Sequence, residues 1–555
     1  MSTRDMSNES VKNADIIYHN GTVITMDPSD RIAEAVAIKG DAIVGVGSAD
    51  DMFNQFKGAI RIDLDGKTLA PGFIDSHSHF QPPGDLFAPD FSHPPVGTVT
   101  SIEDIIAKAA EKAREIPEGE WIQGMGFDGP KLREKRLPTR YDLDRASARH
   151  PIFLLTLYGH VAVANSLALE LAGINADTPD PEGGHIGKDE NGEPNGILEE
   201  MSAQSMVIRL IPPWTREQML QRLKHAVKTY AEKGLTTANS AGVAFDHLIS
   251  FIANMDEILA AADQGLLKIR LVINPAFVFG QENLDRLFQV EVGNHSDRLI
   301  MGAVKMIQDG SIQGYTAYLS EPYHVQREGE SDYCGYPTTT REKLAAGIDV
   351  NHNLGRQIFT HGNGDAAIDD ILHGYEMAHA KKQWDARHVV IHAQMTREDQ
   401  LDKMKKLGAV PSFFVEHVYY FGDDHRDIYL GPERAAHISP CKSAVDRGMP
   451  FTIHSDAPVG DPSPLFIMWT AVNRVTHSGQ VLGPEQRITP LEALRALTTH
   501  AAYQYHQEEK IGSIEPGKLA DLVILSDNPL TVPPMKIKDI QVIETIVGGK
   551  TVFKQ

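Results

Sequence analysis

The sequence predicts an α/β protein: a (β/α)8 barrel of TIM type, a small β-sandwich formed by both termini, and an inserted, mainly helical capping subdomain. Three observations carry this expectation. Apolar, strand-like runs alternate with helical patterns through the middle of the chain, several strand ends recur at the pace of one β/α unit, and both termini are rich in short strands broken by turn signals.

Residues 1–70 read as the first part of the sandwich. Strands are expected at 14–18, 22–26, 35–39, 42–47 and 61–63, punctuated by Asn20-Gly21, Lys39-Gly40 and Asp65-Gly66. The second part, 501–555, repeats the style with 520–525, 540–546 and 551–553. Between them, residues 71–500 form the barrel. Its first strand is read over 73–79, and further strands end near Ser240, Asn274, Lys305, His361, His392, Phe414 and Asp456, which makes eight. Ser240 to Asn274 is 34 residues, and Asn274 to Lys305 and His361 to His392 are 31 each. The 56 residues from Lys305 to His361 exceed one unit, so 321–340 should be an extended loop over the strand ends. The insertion spans about 81–233, with amphipathic stretches at 102–116, 166–171 and 216–233.

Composition narrows the functional classes. At 555 residues the chain exceeds the usual single domain. A net charge of -22 argues against a nucleic-acid or anionic-membrane partner and leaves a small-molecule substrate. With two cysteines, Cys334 and Cys441, and a polar stretch at 1–13 with no apolar run, a reducing cytoplasm is the expected location.

The chemistry concentrates at the expected strand ends. In Pro71-Gly72-Phe73-Ile74-Asp75-Ser76-His77-Ser78-His79, a strand period of two would turn His77 and His79 to one face, within reach of one metal ion, with Asp75 behind them to orient a ligand. Lys305, His361, His392 and Asp456 end other strands, where barrels of this kind keep their active sites. Imidazole suits zinc, and an aspartate can both bind metal and accept a proton. Taken singly, His361 or His392 is more often a packed polar residue; their shared register favours a common site.

The chain resembles the amidohydrolase superfamily, and within it the amidohydrolase-3 branch of YtcJ-like proteins and N-substituted formamide deformylases. The resemblance rests on 71–79, Trp121-Ile122-Gln123-Gly124, Phe127-Asp128, 138–144, Gly159-His160, Asn165-Ser166, 234–237, 305–310, 361–365, His392-Ala393-Gln394, 455–459 and 512–521. It implies that His77, His79 and Asp456 hold one divalent metal and His361 and His392 a second, with Lys305 carbamylated as a bridging anion. Two ions are implied if Lys305 is so modified and one if it is not; an unmodified lysine serving a carboxylate or the substrate is the alternative. His160 matches a family position expected near the substrate and Asp128 one in the capping segment, and His417, after the seventh strand, lies where a side chain could polarise the scissile carbonyl, all three being taken as substrate-binding; a structural histidine, a helix-cap or turn residue and a loop histidine among aromatics are their respective plainer readings. Phe127, where relatives often carry tryptophan, and His454, before the Ser455-Asp456 pair, depart from the pattern. The implied reaction is hydrolysis of a non-peptide C–N bond by metal-activated water, with Asp456 as proton shuttle and Lys305 and His392 completing the catalytic set. An ester or lactone hydrolase on the same site and a catalytically silent regulatory or binding protein are the rivals. A homodimer is the assembly the resemblance suggests.

Overall fold

Strands in the middle of the chain run parallel in two sheets. The computed structural model describes residues 13–81, 86–245, 253–327 and 329–555. Four strands align in the order Leu299–Met301, Arg270–Pro275, Leu235–Val243, Phe73–Ile74, and five in the order Val304–Ile307, Ile358–Gly362, Val389–His392, Val410–Phe413, Thr452–Ile453. Every pairing among them is parallel. Their residues are buried almost without exception, which is why they read as continuous apolar runs rather than as an alternation.

The two sheets meet at both edges. On one side, Leu299–Met301 and Val304–Ile307 are a single pass of chain interrupted at Gly302 and Ala303. There the Gly302 amide donates to Ile273 O and the Ala303 amide to Asn274 Oδ1. A Cβ on Gly302 would lie 2.2 Å from Asn274 Oδ1, so only glycine lets that side chain close the gap. On the other side the Asp456 amide donates to His77 O at 3.1 Å and the His79 amide to Ala457 O at 2.9 Å.

Helices fill the connections. Arg216–Glu232 is typical: Thr215 caps its first turn by accepting from the Gln218 amide, and Met219, Leu223, Ala226, Val227, Tyr230 and Ala231 form one buried stripe at helical spacing. That stripe covers the strand Leu235–Val243 and the C-terminal strands Val542–Val547 and Lys550–Lys554. No helix or strand intervenes between Ile307 and Arg341 among the described residues. Nor, among those residues, is any helix long and apolar enough to cross a membrane.

Two expectations need correction. The first strand is Phe73–Ile74 only, and the last is Thr452–Ile453. Beyond Ile74 the chain stays beside Leu235–Val243 but leaves the regular ladder, with the Ala241 amide donating to Ser78 O and the Ser78 hydroxyl to Asn239 O. His77 and His79 therefore lie past the strand, and strand periodicity does not align them. The inserted segment, expected to be mainly helical, is built on a five-stranded sheet in the order His185–Lys188, Pro194–Glu199, Val161–Ala164, Ile152–Thr156, Ile122–Phe127. Helices Ile102–Glu115, Arg140–Asp144, Ser166–Ala172 and Glu200–Ile208 flank it. Ile152–Thr156 and Val161–Ala164 are buried at every residue, so neither shows the alternation that marks a half-exposed strand.

The termini interleave. Lys550–Lys554, Val542–Val547, Leu522–Leu525, Thr68–Pro71, Thr22–Ile24 and Ile32–Ala33 make one sheet, and Ala42–Gly47, Ala35–Lys39, Ile16–His19 and Ile60–Asp63 another. A single buried cluster, including Val23, Val36, Ile38, Leu69, Leu522 and Ile546, draws on both. This unit is clamped to the parallel strands by Arg270, whose guanidinium donates to Asp521 Oδ2 at 2.6 Å and Oδ1 at 3.1 Å with both side chains buried.

Candidate metal centre

Past Ile74, the first pass of chain carries His77 and His79 to the loop that follows Thr452–Ile453. His77 Nε2 is 3.3 Å and His79 Nε2 3.7 Å from Asp456 Oδ1. Among the described residues these three form the one group of His, Cys, Asp or Glu donors compact enough to share a cation, with all donor atoms within 4.8 Å of one another. His79 Nδ1 lies 3.0 Å from Ala241 O, which places its proton there and leaves the Nε2 lone pair facing Asp456. Asp456 adopts a left-handed backbone at φ 52°, an uncommon conformation for a residue with a side chain.

The donors fit a divalent ion on two grounds. Asp456 Oδ1 is buried and has no hydrogen-bond partner, and such an orphan acceptor costs about 1–3 kcal/mol unless something answers it. Burial also holds the His77 imidazole well below its ordinary pKa and that of His79 at about 4, so both are neutral at physiological pH, the state that binds metal. Burial likewise pushes the Asp456 carboxyl up and the Lys305 ammonium down, each opposed by attraction to the other.

Lys305, His361 and His392 reach the same strand ends but stand outside the three-donor group. Lys305 Nζ is 3.4 Å from His77 Nε2. The rings of His361 and His392 pack 4.4 Å apart, and His392 lies 5.3 Å from His77. His361 Nε2 is 3.1 Å from Gly310 O and 3.0 Å from Asn363 Nδ2, and His392 Nδ1 is 3.2 Å from His454 Nε2. The other nitrogen of each ring takes no part in these contacts. Burial drives both imidazoles, and that of His454, well below their usual pKa.

The three expected substrate residues separate. His160 follows the strand Ile152–Thr156 and brings its ring to 4.9 Å from that of His361. Burial disfavours its imidazolium, but the Glu200 carboxylate, 2.8 Å from Nδ1, outweighs burial and raises its pKa. His417 is turned to His425, 3.1 Å from its Nε2, and the ring of Phe414 lies between His417 and His454. Burial lowers His417 to about 3. Asp128 begins the turn Gly129–Lys131, buried with Oδ1 unpaired, its carboxyl pushed up to about 7 by burial and by Asp424. Neither His417 nor Asp128 joins the donor group.

Sequence reasoning missed three residues. His454 lies at the centre of the histidine cluster, its Nδ1 2.8 Å from Ser412 Oγ. Asp309 accepts the amides of Tyr318, Asn363 and Gly364 at 2.8–2.9 Å, tying the loops that follow two adjacent strands. Glu200 holds His160 by the side chain and by its amide, which donates to His160 O at 2.8 Å, and it takes φ 62° to do so. The doublet Glu199-Glu200 after an apolar strand was the available signal for the last of these.

Two imidazoles and one carboxylate gathered where parallel strands end are the furnishings of a metal-dependent hydrolase. The chain belongs to the Amidohydrolase family, whose profile matches residues 61–553. It is 30% identical over 554 residues to an N-substituted formamide deformylase of Arthrobacter pascens, covering 96% of this chain and 97% of that one. It is 29% identical over 550 residues to the putative amidohydrolase YtcJ of Bacillus subtilis, covering 97% and 99%. An uncharacterized metal-dependent hydrolase from Pyrococcus horikoshii OT3 superposes with a TM-score of 0.70 at 25% identity, over 94% of this chain and 99% of its own.

Proposed function

We propose that this protein hydrolyses a carbon–nitrogen bond in a non-peptide amide of the N-substituted formamide type, using a divalent cation held by His77, His79 and Asp456. The observation that carries this reading is the convergence of two imidazoles, that of His77 buried and that of His79 partly exposed, on the unpaired Oδ1 of Asp456. In the same reading the two parallel sheets close into one eight-stranded barrel, with Leu299–Met301 and Val304–Ile307 as halves of one strand, the interleaved termini form a sandwich, and the insert caps the mouth.

A zinc-like ion in such a nest polarises a carbonyl and lowers the pKa of water toward 7. The chain's own groups then have distinct tasks. Asp456 accepts the proton of the attacking water and returns it to the leaving nitrogen, a role its upward-shifted carboxyl suits. His160, fixed by Glu200, faces the centre from the insert and orients the substrate. Lys305, carbamylated on Nζ, would complete a second cation position with His361 and His392. His417 and Asp128 belong to the outer wall of the substrate space. The 30% identical formamide deformylase supports the choice of bond. The acidic surface suits a small-molecule substrate, and a homodimer in a reducing cytoplasm is the setting we expect.

The test is Asp456→Asn in zinc-loaded protein, assayed on amides and esters side by side. The variant should keep its fold and lose nearly all turnover. Full turnover by Asp456→Asn with metal still bound would sink the proton-shuttle assignment, and ester hydrolysis without amide hydrolysis would sink the choice of bond.

A further inference from the structure

His454 lies one residue past the strand Thr452–Ile453 and is fully buried. Its ring stacks on that of Phe414 at 5.5 Å and meets the His77 ring edge-on at 5.2 Å. Each of its nitrogens faces a polar side chain: Nδ1 is 2.8 Å from Ser412 Oγ and Nε2 is 3.2 Å from His392 Nδ1. Beyond Ser412 the contacts continue to Ser76, whose hydroxyl is 3.5 Å from Ser412 Oγ and donates to Ile453 O at 3.4 Å. Four side chains from four neighbouring passes of chain thus form one line, running from a backbone carbonyl to a ring at the strand ends.

The carbonyl gives the line its direction. A carbonyl oxygen only accepts, so Ser76 directs its proton to Ile453 O and keeps an acceptor lone pair on Oγ. The Ser412 hydroxyl turns to that lone pair, which leaves Ser412 Oγ to accept from His454 Nδ1–H. His454 Nε2 is then a lone pair. Burial keeps both imidazoles uncharged, with one proton each, so the contact between His454 Nε2 and His392 Nδ1 requires His392 to donate from Nδ1 and to hold its own lone pair on Nε2. The opposite order, with Ser412 donating to His454, would leave no bond between the two hydroxyls.

We infer that His454 is a positioning residue: by accepting the Nδ1 proton of His392 it fixes that ring and leaves the His392 Nε2 lone pair to a cation. This rests on the hydrolytic reading above, in which His392 serves a second cation position, and assigns the arrangement of that ligand to a side chain outside the six expected ones. A metal-binding imidazole generally donates its other N–H to an anchored acceptor, a carboxylate or a carbonyl. Here the acceptor is a second imidazole, anchored through two hydroxyls.

Two measurements test the inference. The first needs no metal: ring-nitrogen NMR of metal-free protein carrying isotope-labelled histidine, with the His392 signals identified by their loss in His392→Gln. His392 should carry its proton on Nδ1. His454→Leu, which removes the acceptor, should move that proton to Nε2 in a large share of molecules, and His454→Gln, whose amide oxygen can stand where Nε2 does, should keep it on Nδ1. Ser412→Ala, which removes the hydroxyl that directs the line, should mix the two forms. A proton on His392 Nε2 in the parent, or an unchanged His392 in folded His454→Leu or Ser412→Ala, overturns the inference. The second is zinc titration against a chelator. One of two binding steps should weaken roughly 10- to 100-fold in His454→Leu and return to within about threefold of the parent in His454→Gln. Two steps of equal strength in parent and His454→Leu overturn the positioning role. The expected proton positions in a protein that binds a single ion support the hold of His454 on His392 and count against the second cation position alone.

Discussion

Asp75 offers the sharpest test of how the donor group is held. Its carboxylate is 2% exposed and accepts the Ser455 hydroxyl at 2.6 Å, the Ser455 amide at 3.3 Å and the His77 amide at 3.4 Å. It thus joins the two passes of chain that present His77 and His79 on one side and Asp456 on the other. Asp75→Ala removes all three bonds and strands a buried hydroxyl. A hydrogen bond to a charged acceptor contributes about 1.5–3 kcal/mol, and the two longer amide contacts add less. At about 1.4 kcal/mol per decade, loss of that restraint should weaken zinc binding by roughly 10- to 100-fold, the usual range for a residue that orients metal ligands. Asp75→Asn keeps an acceptor for the Ser455 hydroxyl and should lose less. Competition against a chelator of known affinity, at pH 7.5 and fixed ionic strength, reads both variants. If Asp75→Ala folds and binds zinc within threefold of the parent, the carboxylate does not set the geometry of the site and the reasoning fails.

Other perturbations follow from the same contacts. Arg270→Ala leaves Asp521 buried without its guanidinium partner and should cost about 3–5 kcal/mol, lowering the unfolding midpoint; Arg270→Met with Asp521→Leu should cost less than Arg270→Ala alone. His388 Nδ1 accepts the Ile358 amide at 3.0 Å, so its Nε2 proton points to His352 Nδ1 at 2.8 Å, and His352 Nε2 in turn donates to Lys382 O at 2.7 Å. Burial depresses both imidazoles, so below pH about 6.5 the unfolded chain binds protons that the folded one refuses. Stability from this pair is complete above that pH and should fall as pH drops, by up to about 1.4 kcal/mol per unit for each ring. Melting curves of the parent and His352→Gln between pH 5 and 8 should converge toward acid, and parallel curves would refute this. Glu200→Ala should lower kcat/KM only through His160, so in a His160→Phe background it should have little further effect; additive losses would show that Glu200 acts elsewhere. A Cβ on Gly310 would fall 1.9 Å from Glu200 Oε1, so Gly310→Ala should displace that carboxylate and reproduce the Glu200→Ala defect.

The strands legible in the sequence were those whose apolar runs are continuous and end in a polar residue. The run 389–392 appears in the structure with the expected bounds, and 269–274 is displaced by one residue at each end. Legibility stopped where a strand depends on what lies beside it. Phe73–Ile74 is cut short because the following backbone divides its bonds between the strand Leu235–Val243 and the loop at Asp456 and Ala457, and the pass through Gly302 is split because the Asn274 side chain supplies a bond that a regular ladder would have made. The five-stranded sheet of the insert escaped notice for a related reason: its central strands are covered on both faces, and a fully buried short strand has no periodicity to distinguish it from a buried helix.

The candidate site divides along the same line. His77, His79, Lys305, His361, His392 and Asp456 could be named from sequence because each ends an apolar run, and the ends of parallel strands gather at one rim. Of the residues that hold them, Asp75 could be named from its place beside the histidines, but its partner and the other pairs could not. Asp75 meets Ser455 across 380 positions, His454 meets His392 across 62, and Glu200 meets His160 across 40. Such pairs carry no local pattern, since their partners are set only when separate elements dock. The donors can therefore be recognised while their order of importance cannot. His77 and His79 converge on one carboxylate oxygen of Asp456, Lys305 Nζ stands 3.4 Å from His77 Nε2, and His361 and His392 are engaged by Gly310, Asn363 and His454. Any second cation position must draw His361 and His392 into play through the ring nitrogens that those contacts leave available. The His77, His79 and Asp456 group is thus the part of the candidate site whose donors already lie within reach of one ion, and Lys305, His361 and His392 lie outside that group.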